Sequence, residues 1–272
     1  MQFISIFAAV KKMTDIIRPI ATELAQFEAF FEKTLHADTE PMDSIMHYVL
    51  DTQGKRLRPI LVLLSAKLFG EPNKQTQRAA TFVEMLHSAT IIHDDVVDDA
   101  NQRRGKSSVK AQFGNLSAVL AGDYLLAKAM LLLSNPDDHA ILQEMLGTTA
   151  AMSEGELMQN VSVRSLSLSK GRPYLDIITR KTALLMRSCC AAGALSVNAT
   201  PEQVQQIADF GLNFGILFQL RDDIVDGENM EHAQALLPTY YYKALQALED
   251  FLPSETAEAL KKLTVFCANR EE

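Results

Sequence analysis

The sequence predicts an all-α fold, organised as a single domain over residues 1–272. Apolar residues recur at spacings of three and four almost throughout, as Phe82, Met85, Leu86 and Ala89 illustrate, and this spacing places them on one face of a helix. Glycine and proline interrupt the pattern at intervals that suit long helices, and alternating strand-like runs are scarce. These observations favour one bundle of about ten helices.

The ends of the predicted helices follow from those interruptions. Pro41 and Pro201 suit the first turn of a helix, whereas Gly70 and Asn135 suit a helix end. The segment "SVRSLSLSK" is predicted to be a loop. Segments 115–133 and 207–220 are hydrophobic around most of the helix circumference, so both are predicted to lie inside the bundle. The predicted helices are 14–36, 41–53, 57–69, 74–98, 107–134, 137–163, 173–197, 201–224, 231–251 and 254–270.

The composition indicates a soluble cytoplasmic protein. The net charge of -8, from 26 basic and 34 acidic residues, disfavours nucleic acid as a partner. The three cysteines form no disulfide or metal-binding pattern, which is typical of a reducing compartment. The start, "MQFISIFAAVKKM", is interpreted as a helical extension and not as a signal peptide. No segment is expected to span a membrane.

The window "HSATIIHDDVVDDANQRRGK" contains the first aspartate motif, formed by Asp94, Asp95 and Asp98. On a helix, Asp94 and Asp98 share a face because they are four residues apart. Carboxylates so close together raise one another's pKa unless a cation lies between them. Ligands that are all oxygen favour magnesium, which commonly binds carboxylates together with substrate phosphates. Taken alone, the motif is equally compatible with a solvated acidic helix end.

A second copy of the spacing decides between these readings. "FQLRDDIVDGEN" contains the second aspartate motif, formed by Asp222, Asp223 and Asp226, again after an apolar helical run. Two copies that each end an apolar helix are unlike a chance arrangement of solvent-exposed acidic residues. If the two helices face each other, six carboxylates surround a space for several magnesium ions. Such ions would hold a diphosphate group.

Basic residues near these motifs could contact the same diphosphate. Arginine suits bidentate phosphate binding, whereas lysine acts as a point charge. One basic group belongs to "GKRLRP", near a predicted helix start where backbone amides also favour anions. The basic residues in question are Lys55, Arg56, Arg58, Arg103, Arg104 and Lys181.

The ordered set of motifs resembles a known family. "GKRLRP", the first aspartate window, "FGNLSAVLAGDYLLAKA", "GELMQN", "RKTALL" and "FQLRDDIVD" are similar to trans-type polyprenyl diphosphate synthases, especially octaprenyl and other medium-to-long-chain members. The resemblance implies an isoprenoid synthase fold with a central cavity, and head-to-tail condensation of isopentenyl diphosphate with an allylic diphosphate. It also implies three magnesium ions with the bound diphosphate, a homodimer, and transient membrane contact through membrane-soluble products.

The resemblance also assigns roles to individual residues. Asp94, Asp98 and Asp222 would ligate magnesium, and Asp95, Asp223 and Asp226 would complete the motifs directly or through water. Lys55, Arg58, His87 and Arg104 would bind isopentenyl diphosphate. Arg103 and Lys181 would bind the allylic diphosphate, while Thr182 and Gln219 would line the site near the carbocation. The catalytic set implied for ionisation is Asp94, Asp98, Arg103, Lys181 and Asp222.

Two further expectations come from the same resemblance. Ala89 and Thr90 occupy the fifth and fourth positions before the first motif, where bulky aromatic residues give short products in the family. Their small size implies a medium or long product. Family members also continue after the second motif with a loop rich in glycine and aspartate, so a segment after about residue 227 is expected to be missing here.

Three alternatives compete with this interpretation. A class I terpene cyclase usually replaces the second aspartate motif, which this chain retains. A non-catalytic or impaired subunit of a heteromeric synthase usually loses both motifs, although the missing segment keeps that alternative open. Glu84 and His87 match the Glu-x-x-His pattern of carboxylate di-iron bundles, but such sites need a second pair that the sequence lacks.

Overall fold

Helices form almost all the regular structure of the computed structural model, which describes residues 13–52, 54–164 and 174–270. The helical extension predicted at the start of the chain lies largely outside these residues. The described helices are α1 (Met13–Ile17), α2 (Ala21–Leu35), α3 (Glu40–Asp51), α4 (Leu57–Phe69), α5 (Lys74–Val97), α6 (Val109–Phe113), α7 (Asn115–Leu132), α8 (His139–Arg164), α9 (Tyr174–Ile178), α10 (Leu184–Leu195), α11 (Pro201–Asp226), α12 (Met230–Gln246) and α13 (Glu255–Asn269). Two short strands, β1 (Gln102–Arg103) and β2 (Lys106–Ser107), form a hairpin after α5.

The two long helices that carry the aspartate motifs begin at capping boxes. At the start of α5, the Asn73 side chain accepts from the Thr76 N–H, and the Thr76 hydroxyl accepts from the Asn73 N–H. Thr200 and Gln203 make the same reciprocal pair at the start of α11. Such caps satisfy backbone donors that a helix start leaves free. Helix α11 ends at Gly227, whose φ of 75° suits a glycine stop.

Helix α10 lies at the centre of the bundle. It packs against α4, α5, α8 and α11, so it holds the two motif-bearing helices in a fixed relation. Its two adjacent cysteines, Cys189 and Cys190, are fully buried. Segment 207–220 of α11 is also internal, as predicted, and its Phe210 and Phe214 are fully buried. The all-α prediction is therefore confirmed.

The predicted helix 107–134 is wrong at its start. Residue 107 belongs to the hairpin, and Gly114, with a φ of 87°, separates α6 from α7. Arg104 and Gly105 form the hairpin turn with φ values of 52° and 75°. Positive φ at both central residues is the signature of the tight turn that matches strand twist. This turn fixes the direction of the arginines that follow the first motif.

The predicted helix 173–197 is interrupted by a π-helical turn at Thr179–Ala183. Such turns are frequent at functional sites. Two glycines allow neighbouring helices to approach it: a Cβ on Gly155 would lie 2.7 Å from the Lys181 nitrogen, and one on Gly215 would lie 2.6 Å from the Ala183 Cα. The turn is thus held between α8 and α11. Of the loop predicted at 162–170, residues 162–164 instead end helix α8, and 165–170 lie outside the described residues.

The prediction that segment 115–133 lies inside the bundle is wrong. Helix α7 packs on α5 through small residues, but Leu116, Leu120 and Leu131 are 75%, 50% and 71% exposed. An apolar pattern cannot distinguish burial within one chain from burial against another chain. Contrary to the sequence expectation, α7 is long and apolar enough to cross a membrane, with a mean hydropathy of 1.3. Core helices pass the same criterion, so this carries no membrane assignment.

Candidate active site

The C-terminal ends of α5 and α11 line adjoining cavities. The Asp94 cavity, of about 510 Å³, lies between α5, α8 and the π-helical turn. The Asp222 cavity, of about 890 Å³, is lined by residues of α4, α11 and α13, including Asp222 and Asp226. Arg58, His87 and Ile91 line both cavities. Carboxylates of both aspartate motifs therefore lie on adjoining cavities.

The first motif is divided between the cavity and the protein interior. Asp94 is half-buried and lines the Asp94 cavity, while Asp98 is exposed at the end of α5. Asp95 is only 2% exposed. Its Oδ1 accepts hydrogen bonds from Nε and Nη2 of Arg103, at 3.0 and 2.5 Å. The middle aspartate thus orients the hairpin arginine.

The second motif is divided in the same way. Asp222 and Asp226 line the Asp222 cavity. Asp223 is 6% exposed and accepts from the Gln219 amide at 2.7 Å and from the Tyr174 hydroxyl. Asp222 and Asp226 are four residues apart, share a helix face and line this cavity together. Each middle carboxylate is held by protein donors.

Burial makes the ionised forms of Asp94 and Asp222 costly. Burial raises the pKa of Asp94 to about 6; Glu156 also raises it, and Lys181 opposes the effect. Burial likewise raises the pKa of Asp222 to about 6, against the opposing charge of Arg270. A divalent cation would remove this cost because it stabilises the ionised form. The all-oxygen donor set fits magnesium better than softer metals.

Arg270, which sequence reasoning missed, contacts the second motif. It follows α13, donates Nη2 to Asp222 and to the Phe218 carbonyl, and lies 4.0 Å from the centroid of the Phe218 ring. Tyr174 was missed as well. Both residues are about 50 positions from their aspartate partners in sequence, so no local motif could reveal them. Glu156 lay within "GELMQN" but had no role assigned.

The π-helical turn brings three predicted site residues together. Lys181 forms an ion pair with Glu156 at 2.7 Å and lines the Asp94 cavity. The Thr182 hydroxyl donates to Gln219 Oε1 at 2.7 Å. Gln219 in turn donates to Asp223, so the turn and the second aspartate motif belong to one hydrogen-bond chain.

The predicted basic residues surround the same region. Lys55, Arg103 and Arg104 line the Asp222 cavity beside Arg58. Within the described residues, the buried Nε of Arg58 has no hydrogen-bond acceptor. Burial lowers the pKa of Arg58, while Glu84 and Asp222 oppose that effect. Such a group is suited to an anionic ligand.

His87 lies among these arginines and is expected to be neutral. Burial holds its pKa well below the usual value, and the positive charges of Arg58 and Arg104 lower it further. The di-iron alternative is disfavoured because Glu84, the carboxylate it requires, is paired with Arg56 at 2.7 Å. The neutral ring of His87 can offer a hydrogen bond without adding charge.

The two residues predicted to control product length are placed differently. Thr90 lines the Asp94 cavity, together with the apolar side chains of Ile91, Met152 and Leu157. Ala89 is fully buried in the core. Of the pair, Thr90 is therefore the residue whose side-chain size bears on the volume of this cavity.

Comparison with known proteins identifies the family. Residues 39–234 match the family model described as Polyprenyl synthetase. The chain belongs to this family. It is 36% identical over 80% of its length to an all-trans-nonaprenyl-diphosphate synthase from Rhodobacter capsulatus, and 31% identical over 76% to octaprenyl diphosphate synthase from Escherichia coli. The matches cover 67% and 64% of those relatives, so the chain spans about two thirds of their length.

A solved structure of similar architecture supports the family assignment. It is a polyprenyl synthase from Caulobacter crescentus, complexed with calcium and isoprenyl diphosphate. The TM-score is 0.89 at 26% identity, with 96% of this chain and 98% of the Caulobacter chain covered. The isoprenoid synthase fold inferred from the resemblance is therefore confirmed.

Proposed function

We propose that this protein condenses isopentenyl diphosphate head-to-tail with an allylic diphosphate to give a medium or long all-trans polyprenyl diphosphate. One observation carries the proposal: carboxylates of both aspartate motifs and several basic side chains line adjoining cavities that share Arg58 and His87. A metal–diphosphate complex needs both kinds of group, because carboxylates bind the metal ions and basic side chains bind the phosphates. The Caulobacter relative, complexed with calcium and isoprenyl diphosphate, supports this proposal.

The metal site would use the outward-facing carboxylates. Three magnesium ions would bind together with the diphosphate. Their protein ligands would be Asp94 and Asp98 on one side and Asp222 and Asp226 on the other. Asp95 and Asp223 would complete the motifs by orienting Arg103 and Gln219. Bound magnesium would neutralise the diphosphate and so favour its departure.

The basic residues would position the two substrates. Lys55, Arg58 and Arg104 would hold isopentenyl diphosphate, with neutral His87 donating a hydrogen bond. Arg103 and Lys181 would bind the allylic diphosphate. Holding both substrates in one connected region converts a two-molecule encounter into a reaction between neighbours. The apolar wall of the Asp94 cavity would exclude water from the reacting carbons.

The bond changes follow from this arrangement. The allylic carbon–oxygen bond breaks, and the resulting cation accepts the double-bond electrons of isopentenyl diphosphate to form a carbon–carbon bond. The oxygens of Thr182 and Gln219 would stabilise the cation beside them. Loss of a proton to the released pyrophosphate restores a double bond and completes one elongation.

The proposed activity has a direct test. Isopentenyl diphosphate and farnesyl diphosphate are incubated with the protein and magnesium, and the products are sized by chromatography. Elongation is expected with magnesium and is expected to stop when a chelator removes it. A folded preparation that makes no product would overturn the proposal and favour the impaired-subunit alternative.

Product length is expected to depend on Thr90. Thr90→Phe places an aromatic ring in the wall of the Asp94 cavity, so the main product should lose at least one isoprene unit. The matched control, Thr90→Val, removes the hydroxyl at nearly constant size and should leave the product length unchanged. Equal product lengths from Thr90→Phe and the parent protein would remove Thr90 from this role.

A homodimer is proposed through the exposed face of α7. Leu116, Leu120 and Leu131 leave a large apolar surface in contact with water, which a second copy would cover. Leu120→Asp is expected to shift the dimer to monomer in size-exclusion chromatography with light scattering. The control Leu252→Asp, at a leucine that is 85% exposed elsewhere, should stay dimeric. If Leu120→Asp stayed dimeric like Leu252→Asp, the proposed interface would be contradicted.

Three remaining expectations stay proposals. A cytoplasmic location agrees with the three cysteines, which are buried and free. Transient membrane contact would follow from a membrane-soluble product and requires no anchor. The segment expected to be missing would enter at residues 227–229, which join α11 to α12 beside Asp226.

A further inference from the structure

The corner between α2 and α3 carries a cluster of metal-binding side chains outside both cavities. His36 follows the last turn of α2, and Asp43 and His47 lie four residues apart on α3. One ligand atom from each of these residues lies within 4.8 Å of the other two. None of the three lines the Asp94 or Asp222 cavity. The cluster is therefore separate from the proposed catalytic metal site.

The distances within this cluster suit a shared cation. His36 Nδ1 lies 3.3 Å from Asp43 Oδ1. His47 Nδ1 lies 3.3 Å from Asp43 Oδ2 and 2.9 Å from the Asp43 carbonyl oxygen, a hydrogen bond that a bound ion would replace. Nitrogen–oxygen hydrogen bonds are usually shorter, at about 2.9–3.0 Å. Two ligands on a tetrahedral ion with bonds of 2.0–2.1 Å are separated by about 3.3 Å. Small side-chain adjustments would thus bring the ligands onto one ion.

The carboxylate is already held in place by the backbone. The Ala37 N–H donates to Asp43 Oδ1 at 2.9 Å. This hydrogen bond is the main cause of the lowered pKa of Asp43, to which His36 and His47 also contribute. The histidine rings lie edge to face, with centroids 5.1 Å apart. The exposure of both rings leaves room for water to complete the coordination.

We propose that His36, Asp43 and His47 bind a divalent transition metal of the zinc class. Two imidazoles and one carboxylate favour zinc, cobalt or nickel, whereas magnesium prefers oxygen alone. The bound ion would tie the connection after α2 to the body of α3. Lys128 of α7 contacts the His36 carbonyl, so the same corner adjoins the helix proposed as the dimer interface.

The test uses Co²⁺ as a visible-absorption probe, with Zn²⁺ as its competitor. Titrations are run in excess magnesium, which occupies the aspartate motifs and leaves sites with nitrogen ligands available. The intact chain is compared with the double variant His36→Ala/His47→Ala. The control is His139→Ala, which removes an exposed histidine at the start of α8. Circular dichroism checks that all variants are folded.

The parent chain and His139→Ala are expected to bind one equivalent of Co²⁺ with a nitrogen-ligand spectrum that Zn²⁺ displaces. The double variant should bind at least about tenfold more weakly. Zinc should raise the melting temperature of the parent chain and not that of the double variant. Equal binding by the double variant, or no cobalt spectrum from the parent chain, would overturn the proposal. Neither result depends on prenyl transfer.

Discussion

Replacing Asp94 and Asp222 together by asparagine is expected to lower the elongation rate by about 10³-fold or more. Each substitution keeps the size of the side chain but removes a charge that lines one of the two cavities. The proposed metal–diphosphate complex would then lose a ligand from both motifs. The measurement is the initial rate of labelled isopentenyl diphosphate incorporation at saturating magnesium.

This loss can be separated from unfolding. Burial raises the pKa of both carboxylates to about 6, which means that their ionised forms are costly in the folded chain. Neutral asparagines should therefore leave the melting temperature unchanged or slightly higher. Thermal denaturation of the double variant checks this directly.

A neighbouring aspartate supplies the matched control. Asp99 is exposed, pairs with Lys110 and has a φ of 53°, a conformation that asparagine tolerates well. Asp99→Asn should elongate at the parent rate. If Asp94→Asn/Asp222→Asn also elongates at that rate, the assignment of these two residues fails although the proposed reaction stands.

The sequence was most informative where local patterns determine structure. Helix α4 matches its predicted bounds of 57–69, and α5 ends one residue before the predicted end at 98. Periodic apolar residues and capping residues act over one or two turns, so they can be recognised without tertiary information. The repeated aspartate spacing was equally local. It drew attention to the ends of α5 and α11, which line adjoining cavities.

Other features depend on contacts between distant segments. The inward orientation of Asp95 and Asp223 requires Arg103, Gln219 and Tyr174 to meet them in space. Aspartate spacing alone does not show which of the three carboxylates in each motif faces a cavity and which is buried. The position of α7 shows a related limit, because an apolar sequence pattern does not say whether a helix face packs within the bundle or stays exposed.

Arg56→Met is expected to lower the free energy of unfolding by about 3–5 kcal/mol. Arg56 is 8% exposed, donates to Glu84 at 2.7 Å and to Glu28 at 2.9 Å, and lies 4.5 Å from the centroid of the Phe31 ring. Methionine would leave Glu84, which is 5% exposed, as a buried charge without its partner. Urea denaturation followed by circular dichroism measures the change.

Two further variants distinguish an unpaired charge from lost packing. Glu28→Gln alters a side chain that is 44% exposed, so it should cost less than about 1 kcal/mol. Arg56→Met/Glu84→Leu removes both buried charges and should recover most of the lost stability, since an apolar pair can replace a buried ion pair. A double variant as unstable as Arg56→Met would show that packing against Phe31, and not the charge, is responsible.

The recovered double variant also separates stability from substrate positioning. Arg56 lies in the segment "GKRLRP" just before α4, and Glu84 lies on α5 one turn before His87. Their ion pair therefore links this basic segment to the helix that carries the first motif. Without that link, Lys55 and Arg58 would be held less firmly at the cavity. The double variant is therefore expected to fold normally and still show a severalfold higher KM for isopentenyl diphosphate, with kcat nearly unchanged. An unchanged KM would limit the ion pair to a structural role.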